Sequence, residues 1–513
     1  MVGTLERNTE RKDSFLDWNL SIEKYFALSE ETQVQFRVEI FNLFGIANLN
    51  KVDNILISPT FRSCLSAFEP RRIQLALQIF FQAITTHIIH YGNSGLRLVV
   101  SLLVLSACSS LQTTETLPEI SIQFEEHPRS ILNLPGIETS RDPKVRLRAS
   151  GAVYLLAPYT NGKDQHLGLF ISRDGGDRFA LPVSVNPKGS TVISHGENSP
   201  TLAFGARMEV YALWEKNEPH GRRSLVVSRS MRFGHRFESP VQVTDKTTPS
   251  SNAFSFLAVA PNGDLYVVWL DGRDPQARKA GKSSVYLSRS QDQGRTFGKN
   301  KLVYSQVCPC CRPTLAFGSK NQVYVSWRHV FDGNIRDVVV ASSHDGGNSF
   351  SEPVRVSHDN WEISGCPHSG SSLISSGNRL YVAWFSDPRD RAPGIQLSWS
   401  SNDGKTFADP VPVSRTLVDA NHPYLAQAKD GQILLVFQGR DSEVNQSWGP
   451  TRPYLVQIDP NNGPSKPLPI PGSGASISYP FVTSGGQDRI YVCWTQRGKQ
   501  GPNVILSRGR RTL

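Results

Sequence analysis

Short runs of alternating apolar residues recur along most of the chain. Five clear copies read "VYALW", "LYVVW", "VYVSW", "LYVAW" and "IYVCW", and they end at Trp214, Trp269, Trp327, Trp384 and Trp494. Two weaker copies are "VYLLA", which ends at Ala157, and "ILLVF", which ends at Phe437. The repeat is about 57 residues long, a period typical of solenoids, propellers and other repeat arrays.

Each repeat contains four predicted strands. The repeat around Trp327 shows them as "PTLAF", "QVYVSW", "DVVVASS" and "EPVRVS", which are rich in β-branched and aromatic residues and are separated by turn-forming residues. Four antiparallel strands per repeat, arranged radially, make a β-propeller. We therefore predict an all-β propeller over residues 140–513, with seven blades, or six if the first or last repeat is partial. The last repeat, from Tyr479, lacks a clear fourth strand, and Ile120–Phe124 in the linker 109–139 could supply it and close the ring.

A polar turn recurs between the third and fourth predicted strands. Its copies are "SRDGGDRF", "SRSQDQGRTF", "SSHDGGNSF" and "SSNDGKTF", and a degenerate copy is "SRSMRFGHRF". We expect the turn aspartates to accept backbone N–H groups within their own turns, a structural role. These aspartates are Asp174, Asp292, Asp345 and Asp403.

The pattern Ser-x-Asp-x-Gly-x-Thr-Phe resembles the Asp-box of sialidases, and the resemblance covers roughly residues 140–510. It implies a propeller fold and suggests an exo-α-sialidase activity. The same turn also occurs in propellers that are not sialidases, so it indicates fold more than activity. Strands alternate in direction, so a central site is expected on the face opposite the Asp-boxes.

The sialidase resemblance implies a set of site residues. Sialidases bind the sugar carboxylate with three arginines, and their nucleophile is a tyrosine assisted by a glutamate. On this chain the resemblance assigns Tyr479 and Glu443 to the nucleophile pair and Asp142 to the acid/base. The candidate substrate-binding arginines are Arg312, Arg328, Arg440 and Arg273. The Arg-Ile-Pro motif of sialidases is absent, and for each arginine a structural ion pair between blades is the alternative.

Four cysteines and a histidine are expected on the same face as that site. They are Cys308, Cys310, Cys311, Cys366 and His368. In an oxidising compartment they would form one or two disulfides. The alternative is a soft-metal site for copper(I) or zinc, because thiolates and imidazole are the ligands that these ions prefer. No other cofactor is expected.

Residues 91–108 resemble a lipoprotein signal peptide. The ten apolar residues 98–107 follow Arg97, and a run of this length is too short to span a bilayer as a helix. "LSAC" resembles a lipobox, which implies lipid on Cys108 and a place at the outer membrane of a bacterial cell envelope. The alternative is a buried strand or helix.

The segment before this signal has a different character. Residues 72–81, "RIQLALQIFF", alternate apolar and polar residues as strands of outer-membrane barrels do. Residues 10–81 resemble the last strands of a TonB-dependent receptor. We expect residues 1–90 to be the tail of an upstream receptor gene joined by a frameshift, a read-through or a miscalled start. A small N-terminal αβ domain is the alternative.

Composition and charge narrow the function classes. The 513-residue chain contains 40 glycines and 33 prolines and only 19% charged residues, which suits a turn-rich β protein. The formal charge is +10, but basic residues are scattered, so nucleic-acid binding is not expected. Two functions remain: an exported glycosidase that removes terminal acidic sugars, or a non-catalytic propeller that binds a glycan, a protein or a soft metal.

Overall fold

In the computed structural model the chain forms two compact units, residues 1–113 and 114–513. The structure describes only some residues of each unit. The described residues are 20–29, 32–41, 43–44, 49–52, 64–67, 72–81 and 122–511, the last without 163, 219–221, 246–251, 320, 429, 442–448, 473, 486–488 and 499–500. The signal segment with Cys108, and Glu443, lie outside the described residues. The predictions for them are therefore not tested by the structure.

The N-terminal unit contains five described strands. They are β1 (Leu20–Ser29), β2 (Thr32–Phe41), β3 (Leu49–Val52), β4 (Cys64–Ala67) and β5 (Arg72–Phe81). β1, β2 and β5 form an antiparallel sheet in that order, and β3 pairs with β4. β5 coincides with the alternating segment identified in the sequence.

The second unit is a seven-bladed propeller. Two short strands, β6 (Ile122–Phe124) and β7 (Arg129–Ser130), precede the blades. Blade 1 contains β8 (Thr139–Ser140), β9 (Lys144–Leu147), β10 (Val153–Asn161), β11 (Asp164–Ser172) and β12 (Val183–Ser184). Blade 2 contains β13 (Thr201–Phe204), β14 (Val210–Asn217), β15 (Arg223–Ser230) and β16 (Val241–Gln242). Blade 3 contains β17 (Asn252–Val259), β18 (Leu265–Asp271), β19 (Ser283–Ser290) and β20 (Lys301–Val307).

The remaining blades follow the same order. Blade 4 contains β21 (Thr314–Phe317), β22 (Val323–Arg328), β23 (Val338–Ser343) and β24 (Val354–Arg355). Blade 5 contains β25 (Ser372–Ser376), β26 (Arg379–Ser386), β27 (Gly394–Ser400) and β28 (Val411–Pro412). Blade 6 contains β29 (Leu417–Gln427), β30 (Ile433–Asp441), β31 (Arg452–Asp459), β32 (Gly463–Pro464) and β33 (Leu468–Pro469). Blade 7 contains β34 (Ile477–Ser484), β35 (Arg489–Gly498) and β36 (Gly501–Arg511).

Helices are few and short. The described α-helix, α1, spans Pro275–Lys279, and 3-10 turns span Ile131–Asn133 and Asp332–Asn334. Within the described residues, no helix combines the length and apolar character needed to cross a bilayer.

The ring is closed by the start of the unit. β6 pairs with β36 in antiparallel register, with Phe124 opposite Gly509, and β7 pairs with the same strand further along. Gly509 must be a glycine here, because a Cβ at this position would lie 2.8 Å from the Phe124 ring. The sequence prediction is confirmed: there are seven blades, and residues from Ile120–Phe124 supply the missing outer strand of blade 7.

The hydrophobic core lies between the blades. The five tryptophans that mark the repeat sit on the second strands and are each no more than 1% exposed. Their neighbours come from two sheets: the core around Trp269, for example, joins Leu213 of blade 2 to Val267 of blade 3. A single blade therefore cannot bury its own faces, and each sheet depends on the next.

The Asp-box turns form the predicted hydrogen bonds in three copies. In the copy of blade 3, Ser290 donates to the Asp292 carboxylate (2.8 Å), and the N–H of Thr296 donates to the same carboxylate (2.9 Å). The N–H of Gly294 donates to Ser290 Oγ at 2.8 Å. Asp174 and Asp345 accept the corresponding bonds in blades 1 and 4.

The copy in blade 5 corrects the sequence assignment. Asn402, not Asp403, occupies the aspartate position, because its Oδ1 accepts from Ser400 Oγ (2.9 Å) and from the N–H of Thr406 (3.0 Å). Asp403 instead accepts a hydrogen bond from Tyr324 of blade 4 at 3.1 Å. The sequence assignment therefore chose the second of the two adjacent polar residues in "SNDG", whereas the first occupies the Asp-box position.

Tyrosines of the repeated second strand tie the Asp-box turns to the preceding blade. Tyr491 of blade 7 donates to the carbonyl of Gly175 in the turn of blade 1 (2.9 Å), and Tyr266 of blade 3 donates to that of Gly346 in blade 4 (3.1 Å). The turns therefore fasten neighbouring blades to each other as well as closing hairpins.

Loss of the closing contact should destabilise the whole ring. We expect Phe124→Ala to lower the free energy of unfolding by about 3 kcal/mol, because it empties a buried site against Gly509. Leu181→Ala, at a side chain that is 62% exposed, is the control and should change stability by less than about 0.5 kcal/mol. Urea unfolding measures both. Equal stabilities for the two variants would contradict the role given to β6.

The Asp292 turn should contribute stability that depends on pH. Burial alone would raise the pKa of Asp292, but hydrogen bonds from Thr296 and Ser290 outweigh it and lower the pKa to about 2. The unfolded aspartate titrates near pH 3.9. A lowered pKa stabilises the fold above the unfolded value, and that contribution is lost as pH falls from about 4 to about 2.

The matched comparison is Asp292→Asn, which keeps the acceptor oxygen, as Asn402 does in blade 5, but removes the charge. Urea unfolding of both proteins between pH 6 and pH 3 should show the wild-type advantage shrinking below pH 4. A difference that stays constant over this range would show that the charge of Asp292 contributes nothing.

Candidate functional site

The segments that lead into the first strands carry unusual backbone conformations. Asp142, Phe254, His368, His422 and Tyr479 all have φ between 49° and 55°. Such left-handed backbone is unfavourable for residues other than glycine, and where it persists it often marks functional sites. The sequence gives no local sign of this strain.

In three blades the left-handed residue sits at a break in strand register. β17 breaks between Ala253 and Phe256, and the same irregularity recurs in β29 and β34 at His422 and Tyr479. A bulge of this kind re-aims a side chain and is common beside active sites.

A buried polar cluster forms where these segments of several blades meet. We call it the axial cluster, and its members are Asp142, Lys144, Glu197, Arg312, His422 and Tyr479. Asp142, Lys144, Glu197 and Arg312 are each less than 9% exposed, and they come from the segments that open blades 1, 2 and 4. Charged groups this deeply buried need partners. Glu197 pairs with Arg312 and His422 within the cluster, whereas Asp142 and Lys144 bind serine hydroxyls beside it.

Glu197 lies at the centre of the contacts. His422 Nδ1 lies 3.1 Å from one of its carboxylate oxygens, and the N–H of Gly370 donates to the other at 3.3 Å. Arg312 Nε is 3.7 Å from that second oxygen, which is an ion pair. Burial alone would raise the pKa of Glu197, but the hydrogen bond from His422 and the charge of Arg312 lower it below its ordinary value. Glu197 is therefore an ionised base.

The pKa of Asp142 is shifted in the opposite direction from that of Glu197. Ser194 Oγ donates to its carboxyl group at 2.6 Å, and its backbone N–H donates to Thr495 Oγ1 at 2.7 Å. Burial raises the pKa of Asp142 despite this hydrogen bond and the nearby charge of Lys144. A carboxyl group with a raised pKa is suited to act as a general acid.

Tyr479 packs tightly into the cluster. Its ring lies 4.2 Å from that of His422 between centroids, and its N–H donates to Gln438 Oε1 at 3.1 Å. Burial raises the pKa of its hydroxyl, and the charges of Glu197 and Asp142 raise it further. Gly196 leaves room for the ring, because a Cβ there would lie 2.3 Å from the hydroxyl oxygen. The tyrosine is neutral and stands beside one base and one acid.

Positive charge borders the same cluster. Lys144 donates to Ser199 Oγ at 3.0 Å, and burial together with the charge of Arg312 lowers its pKa to about 8. Lys144 Nζ lies 5.3 Å from the centre of the Phe481 ring, and the guanidinium carbon of Arg146 lies 4.7 Å from it. Lys144, Arg146 and Arg312 are thus cationic side chains in or beside the axial cluster.

Three of the predicted binding arginines have structural contacts instead. Arg328 is 1% exposed, and its guanidinium donates to the backbone carbonyls of Arg336, Ser369 and Phe385 at 2.8, 3.2 and 2.8 Å. It joins blades 4 and 5 through both of its Nη groups.

Arg273 and Arg440 are also paired elsewhere. Arg273 binds the carboxylates of Asp271 (2.7 Å) and Asp245 (3.1 Å), and Arg440 binds Asp419 (3.1 Å). Arg312, Arg328 and Arg440, three of the predicted substrate-binding arginines, thus have three separate sets of contacts. Only Arg312 belongs to the axial cluster.

Sequence reasoning missed several members of the site. Lys144 and Arg146 alternate in "KVRL" and so share one face of β9, a signal that was available. Glu197 precedes "NSP" at the start of blade 2 in the same way that Asp142 precedes a proline at the start of blade 1. His422 carried no signal, because its role depends on a residue 225 positions away.

The cysteines form a second cluster beside the first. Cys308 Sγ lies 3.7 Å from Cys310 Sγ and 3.6 Å from Cys311 Sγ, and all three residues are buried. Donor atoms of Cys310, Cys366 and His368 lie within 4.8 Å of one another. The sequence prediction that these five residues gather on one face describes the observed arrangement.

The thiols are free and electrostatically distinct. Hydrogen bonding with the Cys310 and Cys311 thiols lowers the pKa of Cys308, and burial raises that of Cys311. Arg336 Nη1 donates to Cys308 Sγ at 3.2 Å. Cys493, in contrast, is a fully buried free thiol on β35, where it packs in the core.

Comparisons with known proteins separate the two units. Residues 1–74 match a family model described as an outer membrane beta barrel domain. A comparison with curated proteins gives no match.

Several solved structures resemble this chain at low sequence identity. A protein of unknown function from Dyadobacter fermentans is 14% identical, with a TM-score of 0.43 over 63% of this chain and 98% of that one. A mutant of the NanB sialidase from Streptococcus pneumoniae is 11% identical, with a TM-score of 0.38 over 94% and 83%. The GH93 α-L-arabinofuranosidase of Fusarium graminearum is 12% identical, with a TM-score of 0.44 over 74% and 95%. Substrate and reaction must therefore be argued from the residues of this chain.

The tight fit of Tyr479 against Gly196 can be tested. Gly196 and Gly189 both have positive φ, 57° and 79°, but a Cβ at Gly189 meets nothing within 4 Å. We expect Gly189→Ala to cost about 1 kcal/mol in backbone strain, and Gly196→Ala to cost about 2 kcal/mol more because it also collides with the tyrosine. Denaturant unfolding compares the two. Equal losses would mean that Tyr479 is not held against Gly196.

Proposed function

We propose that this chain is a glycoside hydrolase of the sialidase type, which removes terminal acidic sugars from glycoconjugates. The observation that carries the proposal is the meeting of Asp142 and Tyr479. They come from the neighbouring blades 1 and 7, and both have left-handed backbone. Besides burial, the charges of Glu197 and Asp142 both raise the pKa of the Tyr479 hydroxyl. Strained backbone at two adjacent blades is difficult to explain by packing alone.

The cluster contains the groups that the reaction needs. In the first step Tyr479 Oη attacks the anomeric carbon and gives its proton to Glu197, while Asp142 gives a proton to the glycosidic oxygen of the leaving group. In the second step the Asp142 carboxylate takes a proton from water. The resulting hydroxide cleaves the bond between tyrosine and sugar, and Tyr479 recovers its proton from Glu197.

The charge around the cluster supports an acidic substrate. Lys144, Arg146 and Arg312 outnumber the two carboxyl groups of the cluster, those of Asp142 and Glu197. A sugar carboxylate would restore the balance, and guanidinium groups bind carboxylates in a geometry that matches their own.

The N-terminal match supports a place in the cell envelope, since residues 1–74 match an outer membrane domain. We propose that the propeller is exported and carries lipid on Cys108, so that it meets glycans outside the inner membrane.

A second candidate function is a propeller that binds a glycan without cleaving it. The contacts of Glu197 favour it, because a carboxylate already paired with Arg312 and His422 can hold three blades together with no reaction. The same network would then recognise an anionic ligand through Lys144 and Arg146.

Turnover of a fluorogenic sialoside distinguishes the two functions. We expect Tyr479→Phe and Glu197→Gln to lower kcat/KM by about 100-fold or more, because they remove the nucleophile and its base. The control is Tyr266→Phe, which removes a buried hydroxyl on the Asp-box side that donates to Gly346, and it should retain activity.

Three outcomes would contradict the proposal. Full activity of Tyr479→Phe would exclude the tyrosine as nucleophile. Binding of the sialoside without turnover by the wild type would favour the second candidate. Turnover of a neutral arabinofuranoside in preference to the sialoside would contradict the acidic substrate.

A further inference from the structure

The cysteine cluster, Cys308, Cys310, Cys311, Cys366 and His368, has no part in the proposed reaction. Cys308 directly follows β20, and Cys310 and Cys311 lie in the turn that leads into blade 4. Cys366 and His368 precede blade 5. Two neighbouring blades therefore bring together two groups of three donor atoms, and Cys310 belongs to both.

The spacing of the sulfurs fits a tetrahedral ion. Zinc–sulfur bonds of about 2.3 Å in a tetrahedron place the sulfurs roughly 3.8 Å apart. Cys308 Sγ lies 3.7 and 3.6 Å from the two other buried sulfurs. The ligands are thus close to the separation that a bound ion would impose.

The charge balance decides between zinc and copper(I). Three thiolates carry three negative charges, zinc(II) supplies two positive charges, and the Arg336 guanidinium that donates to Cys308 Sγ supplies the third. Copper(I) would leave one negative charge uncompensated. The site packs against Val330 and Phe254, where an uncompensated charge is unfavourable.

The fourth ligand follows from the same reasoning. The donor atoms of His368 and Cys366 lie within 4.8 Å of Cys310 Sγ and of each other, in a group separate from that of the three buried sulfurs, so either side chain would have to move towards Cys308 and Cys311 to complete one site. A neutral imidazole preserves the charge balance, whereas a fourth thiolate would break it. We propose that Cys308, Cys310, Cys311 and His368 bind one zinc ion, with the displacement of three thiol protons to solvent.

A closed site of this kind is structural. Cys311 is followed directly by Arg312, whose guanidinium pairs with Glu197 in the axial cluster. The ion would therefore fix the turn that presents Arg312, and it would join the start of blade 4 to the segment before blade 5. The inference does not depend on the reaction proposed above, because it would hold equally for a propeller that only binds.

The test uses the full chain, reduced, freed of metal and titrated with zinc chloride against a chromophoric chelator. We expect one zinc per chain, and X-ray absorption should show three sulfur neighbours and one nitrogen. This measurement on the wild type does not depend on the folding of any variant. No zinc bound, or a shell of four sulfurs or of fewer than three, would overturn the assignment.

Variants test the individual ligands. Cys311→Ser should weaken zinc binding by at least about 100-fold, and His368→Ala by about 10- to 100-fold, whereas Cys366→Ser should leave binding nearly unchanged. Cys493→Ala removes a buried thiol of blade 7 and is the control. If Cys366→Ser weakened zinc binding more than His368→Ala did, the assignment of His368 as the fourth ligand would be wrong.

The oxidation state of these cysteines in the native protein provides a separate test. Mass spectrometry of protein isolated without reductant should show these thiols unlinked. A disulfide among Cys308, Cys310 and Cys311 in that preparation would overturn the proposal, as would tighter binding of copper(I) by three sulfurs alone.

Discussion

The packing of each sheet against its two neighbours is the constraint on which this molecule depends. The marker tryptophans are buried between blades, so no blade has a complete core of its own. Such a ring is stable only when it is closed, and closure joins β6, from the start of the unit, to β36, from its end. The Asp-box turns add to this dependence, because tyrosines of one blade donate to the turn of the next.

Closure also determines where chemistry can occur. Hairpin turns with the Asp-box pattern fasten the blades to each other, while the segments that open the blades converge near the axis. Those segments carry the left-handed residues and the buried charges, both of which are unfavourable in isolation. The interlocked blades supply the packing that holds them, which is why a stable scaffold and a strained site occur in one domain.

The two clusters share a short piece of chain. Cys311 contacts the sulfur cluster and Arg312 contacts Glu197, so one turn serves both. The buried Arg328 also strengthens this region, because its guanidinium donates to backbone carbonyls of blades 4 and 5.

The sequence by itself determined the repeat, the strand order and a count of seven or six blades, and it offered a candidate for the strand that closes the ring. These properties follow from local patterns, since period-two alternation and turn residues specify strands wherever they occur. It also predicted that Asp142, Tyr479, Arg312 and the cysteines share one face, because alternating strand direction assigns each loop to a side. Only the tertiary structure decided the partners: Glu197 beside Tyr479, His422 on Glu197, Asn402 in the turn assigned to Asp403, and Arg328 in the framework. A side chain's partner depends on distances across blades that lie many residues apart, and a pattern within one repeat contains no information about them.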